Sequence, residues 1–130
     1  MIRLSLYIFQ QEAGRHGVYH GTFKVLDSPK DTFLSTTGWG KGVAILNGNN
    51  LGRFWATQGP QITLYVPAAF LRVGDNSLLI MELEGSKNCS KGSCLVSFVD
   101  RPIYVWRNII SNVDFFESPR RQLYKQRQEL

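Results

Sequence analysis

Apolar runs in this chain are short, and each is broken within a few residues by Gly, Pro, Asn or Asp. Candidate strands read at 2–9, 18–26, 32–35, 42–47, 51–55, 61–66, 77–84, 95–99 and 102–106. A turn signal every ~8–15 residues suits a β-sandwich or jelly roll and leaves no room for the crossover helices of a βαβ fold. Turn chemistry agrees. Asn47-Gly48 closes the run VAIL, and Asn-Gly is the strongest short hairpin signal because both central positions need positive φ. Gly74-Asp75-Asn76 leads into SLLIMELE, and Asp27-Ser28-Pro29 separates two early strands. Residues 68–72, AAFLR, fit one helical turn after Pro67.

Alternation predicts the core. Leu79, Met81 and Leu83 share one face of their strand and Leu78 and Ile80 the other, so this strand reads as central and, at its start, buried on both sides. Val43, Ile45, Ile62, Leu64, Val66, Val96 and Phe98 are expected to point inward. The 130 residues suffice for one domain with a sizeable core.

Several function classes fall away on composition. The net charge is +5, but the basic residues of the body are scattered singly rather than interleaved with aromatics along a groove. Nucleic-acid binding is therefore not expected, since it needs concentrated charge that releases counterions. No run approaches the ~18 apolar residues of a membrane span. At the N-terminus Ile2, Leu4, Leu6 and Ile8 alternate with polar residues or Tyr, which is strand periodicity rather than a signal helix. His16 and His20 are the only histidines and define no metal site; no metal and no cofactor is expected. Neither a nucleophile motif nor a phosphate loop occurs.

Cys89 and Cys94 flank a short segment within KNCSKGSC, and Asn88-Cys89-Ser90 matches the N-glycosylation pattern. Either the two cysteines close a disulfide or they are free thiols. Disulfide and glycan together would suit an oxidising, secretory compartment. With no recognisable signal peptide, the chain reads as a fragment of a longer secretory protein.

The stretch from 38 to 84 carries an ordered set of motifs: Gly38-Trp39-Gly40-Lys41-Gly42, Asn47-Gly48, Leu51-Gly52-Arg53-Phe54-Trp55, Gly59-Pro60-Gln61, Val66-Pro67, Leu71, Gly74, Asn76, and Glu82 or Glu84. Asp31 to Leu34 precede it and Phe98 to Pro102 follow. This order resembles the C-terminal galactose-binding-like domain of the β-galactosidases of glycoside hydrolase family 35, over roughly residues 17–106. The resemblance implies a jelly-roll β-sandwich; residues 1–16 fall outside it, unassigned but with a strand's alternation, and 107–130, with no apolar face to bury, read as a disordered tail. The resemblance also implies a parent enzyme, lysosomal or extracellular, that hydrolyses terminal β-galactosides with two Glu residues on a (β/α)₈ barrel. A barrel needs ~250 residues, so it lies outside this chain and no catalytic residue is assigned here.

The motif residues admit two readings each. Trp39 reads first as a buried aromatic under a tight loop, and second as a stacking platform for a sugar face. Asn47 is a turn residue that can also bond sugar hydroxyls. Arg53 is expected to pair with Glu82 or Glu84, its guanidinium gripping sugar hydroxyls in the alternative. Trp55 is core or interface before it is a platform. Glu82 and Glu84, at i and i+2, are expected on one solvated face rather than as an acid/base pair, because a glycosidase needs its carboxylates across a cleft. Three functions follow in order: an accessory domain supporting the catalytic barrel of its parent chain, a module that binds β-galactosides, and last an autonomous glycosidase.

Overall fold

The computed structural model describes residues 2–6, 14–90 and 93–105. Nine strands occur among these residues: β1 (Ile2–Leu6), β2 (Arg15–Val25), β3 (Thr32–Ser35), β4 (Lys41–Leu46), β5 (Asn49–Trp55), β6 (Thr63–Val66), β7 (Gly74–Gly85), β8 (Cys89–Ser90) and β9 (Ser93–Val99). The only helical element among them is a 3-10 turn at Ala68–Phe70, within the segment expected to turn. All pairings are antiparallel, in the order β5-β4-β7-β2-β1-β9-β3-β6, with β8 hairpinned onto β9. The chain is an all-β sandwich of two antiparallel sheets, joined where β9 pairs with β1 on one side and β3 on the other.

Three rows of side chains show how the larger sheet builds the core. Leu46, Leu78 and Gly21 lie side by side on β4, β7 and β2, as do Ala44, Ile80 and Tyr19, and Gly42, Glu82 and Gly17. Leu46, Leu78, Ile80 and Tyr19 are almost fully buried. From the smaller sheet Leu34 faces Leu64 and Phe98 across the ladders, and Phe98 meets Phe23 at 5.1 Å between ring centroids. Each fully buried Leu or Ile contributes roughly 1.5–3 kcal/mol, so this cluster is the main source of stability.

Several expectations need correction. β7 is buried on one face only: Met81 is 40% and Leu83 62% exposed, because no described element covers the outer side of β4 and β7. On β4 the phase is the reverse of that expected. Gly42, Ala44 and Leu46 are buried, while Val43 and Ile45 are half-buried on the outer face beside Met81 and Leu79. Ile62, Val66 and Val96 are buried as expected, with Leu64 and Phe98 packed partly against them. The segment from 102 forms no strand among the described residues. Pro102 has no N–H to give a ladder, and only a bridge from Tyr104 to Gln61 forms. Residues 2–6 pair with β2 and β9, whereas 107–130, expected as a tail, lie outside the described residues.

Candidate functional site

The Gly38–Lys41 loop is held from beneath by a carboxylate. Glu82 is 1% exposed, and its two oxygens accept hydrogen bonds from the backbone N–H groups of Gly40 (3.1 Å), Lys41 (3.0 Å), Glu84 (3.0 Å) and Gly85 (2.9 Å). Burying a carboxylate is tolerable only when its lone pairs are satisfied, and here four donors satisfy them. This corrects two expectations. Glu82 does not share a solvated face with Glu84, and Arg53 pairs with neither, since the ion pairs of the described residues are Lys24–Asp75 and Arg101–Asp100. The two side chains do lie on one side of the strand, since a Cβ added at Gly40 would fall within 3 Å of both, but the Gly38–Lys41 loop covers Glu82 and leaves Glu84 exposed.

Trp39 sits on this anchored loop with 2% of its surface exposed. Its indole N–H donates to the carbonyl of Leu95 at 3.1 Å, and its ring meets Tyr19 edge-on, 5.3 Å between centroids. The Tyr19 hydroxyl donates to the carbonyl of Arg15 and accepts from the Gly14 N–H, while burial pushes the phenol up from its ordinary value. Gly38, at φ 88°, lets the loop pass against Asn88: a Cβ there would fall 2.2 Å from the Asn88 Oδ1. The Asn88 Nδ2 donates to the carbonyl of Thr37 at 2.6 Å. Beside it, Cys89 and Cys94 form a disulfide across β8 and β9, with Cα atoms 3.9 Å apart.

Asn47, at φ 49°, is fully engaged. Its Nδ2 donates to the carbonyl of Phe70 and to Asn76 Oδ1, both at 2.8 Å, and its Oδ1 accepts from the Ser77 N–H. Asn76 in turn bonds Arg72 and the carbonyl of Gly74.

Arg53 and Trp55 come together at a different place. They line a cleft of about 230 Å³ between β5 and β6 with Phe54, Gln61, Thr63 and Tyr65. Trp55 is 47% exposed, and the Lys41 ammonium lies 4.1 Å from its ring centre, a cation–π contact. Arg53 is exposed, and its side chain makes no hydrogen bond or ion pair among the described residues. The Tyr65 hydroxyl donates to Asp31, which also accepts from the Ala68 N–H. Those bonds hold the Asp31 carboxyl below its ordinary range and raise the Tyr65 phenol. His16 and His20 do not converge: the His20 ring bonds Ser77, and no cluster of three metal-ligating side chains occurs among the described residues.

Four of these residues were given no role in a site by the sequence. Gln61, Tyr65 and Lys41 are neighbours of Arg53 and Trp55 only through cross-strand pairing. The Gly-x-Asn signal marked Asn76 as a turn residue but not as the partner of Asn47.

The motif positions from Gly38 to Glu84 thus fall into a structural knot and a cleft, on β4 to β7 and the loops between them. A family model described as "Beta-galactosidase, galactose-binding domain" matches residues 17–76. Those residues are similar in sequence to the galactose-binding domain of β-galactosidases. Among similar curated proteins, "Beta-galactosidase 8" of Oryza sativa subsp. japonica is 48% identical over 83 residues, 62% of this chain and 12% of the relative. "Beta-galactosidase" of Macaca fascicularis is 44% identical over 92 residues, and that of Homo sapiens 43% over 93, each covering 65% of this chain and 14% of the relative. The chain therefore spans about one-eighth to one-seventh of these relatives, the size of a small accessory domain.

Proposed function

We propose that this chain is a non-catalytic accessory domain of a β-galactosidase-type glycoside hydrolase, and that it packs on a (β/α)₈ barrel carried outside it. The observation that carries this reading is the outer face of β4 and β7. Met81 and Leu83 stand exposed there, flanked by half-buried Val43, Ile45, Leu79 and Val18. A contiguous apolar sheet face is costly to leave in water and marks a contact surface. The matched relatives extend far beyond the matched domain, which supplies a partner of the right kind. Glu82, engaged by four backbone donors, is in no position to act as an acid or nucleophile. The Cys89–Cys94 disulfide supports passage through an oxidising, secretory compartment.

The test is association in trans. A β-galactosidase lacking its own matching domain is mixed with this chain and analysed by size-exclusion chromatography. Co-elution that is lost in the Met81→Lys, Leu83→Lys double variant supports the reading. Separate elution of the unaltered chain rejects it.

A second reading has its own observation. The Arg53–Trp55 cleft is lined by exposed aromatic and polar side chains of the kind that hold a sugar, so the domain is also a candidate module for β-galactosides.

A further inference from the structure

The cleft between β5 and β6 has a charge character that bears on its ligand. Its lining contains Arg53 and no carboxylate. A second cation, Lys41, is held over the Trp55 ring at the rim. The nearest described acid in the network, Asp31, is already engaged by the Tyr65 hydroxyl and the Ala68 N–H and is not part of the lining. A neutral sugar would leave the Arg53 fork with hydroxyl contacts only. A carboxylate or sulfate would meet it with two parallel charge-assisted bonds, the geometry guanidinium fits best.

The remaining groups suit a pyranose ring. Trp55 and Tyr65 are each about half exposed and supply apolar walls. Gln61 donates its amide to the carbonyl of Thr63, which fixes the side chain and leaves Oε1 as an acceptor for a ligand hydroxyl. The volume of about 230 Å³ lies below the roughly 300 Å³ of a drug-sized pocket, so it fits one sugar unit rather than a chain. A larger hollow of about 370 Å³ by the Trp39 loop differs in kind: it carries Glu84 and Lys87 together, and the Trp39 side chain there is buried.

We infer that the Arg53–Trp55–Tyr65 cleft is a binding site for a single sugar residue bearing a carboxylate or sulfate, with Arg53 holding the anionic group. The inference rests on the sugar-binding reading above and narrows its ligand class.

The experiment is an amide NMR titration of the full chain with three probes: lactose, galactose 6-sulfate and galacturonic acid. Saturable shifts at residues 53–65 with either anionic sugar, at least about tenfold tighter than with lactose, are expected, weakening as salt is raised. Which anion binds separates the two sources of charge. Arg53→Gln should remove that preference about tenfold or more while the other amide positions stay unchanged, since the residue is exposed, and Lys41→Gln should reduce it less. Equal binding of lactose and the anionic sugars would overturn the inference and leave the neutral-galactoside reading standing. No saturable shift with any probe would overturn both.

Discussion

The Nδ2 of Asn47 donates to the Oδ1 of Asn76 across 2.8 Å, tying the β4–β5 turn to the start of β7. The two amides also satisfy the carbonyls of Phe70, Arg72 and Gly74 and the N–H groups of Arg72 and Ser77. Asn76 is 2% exposed, so its loss strands several buried groups. Asn76→Ala should cost roughly 3 kcal/mol, the sum of desolvation penalties of about 1–3 kcal/mol per stranded group being partly relieved by water. Asn47→Gly, which keeps the positive φ, should cost less than Asn47→Ala, which loses both backbone fit and bonds. Urea midpoints of the three variants measure this order.

Glu82 and Glu84 should respond very differently to the same change. Glu82→Gln replaces one acceptor oxygen with an NH₂ that faces backbone donors, and a cost on the order of 3 kcal/mol is expected. Glu84→Gln, at an exposed position, should stay within about 0.5 kcal/mol. Thermal unfolding of the pair compares them, and equal losses would contradict the anchoring role given to Glu82.

Gly38→Ala adds a Cβ 2.2 Å from the Asn88 Oδ1 and forces φ 88° on an L side chain. The two penalties can be separated. Asn88→Ala relieves the clash but not the backbone strain, so the double variant should recover part of the loss, with a coupling of about 1 kcal/mol or more. Additive losses in a double-mutant cycle would show that the Asn88 side chain does not pack on Gly38.

The Asp31–Tyr65 bond has a titration signature. Asp31 has a folded-state pKa lowered first by the Ala68 N–H and then by the Tyr65 hydroxyl. Its stabilising contribution is therefore present above about pH 4 and fades as the pH falls through the depressed value. Tyr65 behaves oppositely: its raised pKa gives a contribution present below about pH 10 and lost as the pH rises through the folded-state value. In Asp31→Asn the Tyr65 phenol should ionise at lower pH than in the unaltered chain, which an NMR titration of its ring protons reads directly. An unchanged Tyr65 midpoint would mean the bond is not formed in solution.

The Cys89–Cys94 link closes a loop of only a few residues, so loop-closure entropy assigns it a modest ~2 kcal/mol. Cys89→Ser with Cys94→Ser should lower the urea midpoint by that amount without unfolding the sandwich. A larger loss would mean that the buried Cys94 sulfur also matters for packing beside Val96.

The sequence by itself determined the class of fold. Short apolar runs, Asn47-Gly48 as a positive-φ hairpin and Pro67 before a single helical turn place most strands within a few residues of where they lie, because turn chemistry is local. The ordered motifs from Gly38 to Glu84 likewise marked the residues that matter. What they do was decided only in three dimensions. Met81 and Leu83 read as core because alternation reports apolarity and not what covers it; the outer face of β7 simply has no described layer above it. Glu82 reads as solvated because its four donors come from two segments some forty residues apart in sequence. Arg53 reads as half of an ion pair because the acids it was matched to stand near it along a strand pattern, but sheet pairing puts Glu82 on the opposite face and leaves Arg53 beside Trp55, Gln61 and Tyr65. Local backbone preferences are written residue by residue, whereas burial, pairing and charge neighbours depend on contacts between distant strands, and those exist only once the sandwich has closed.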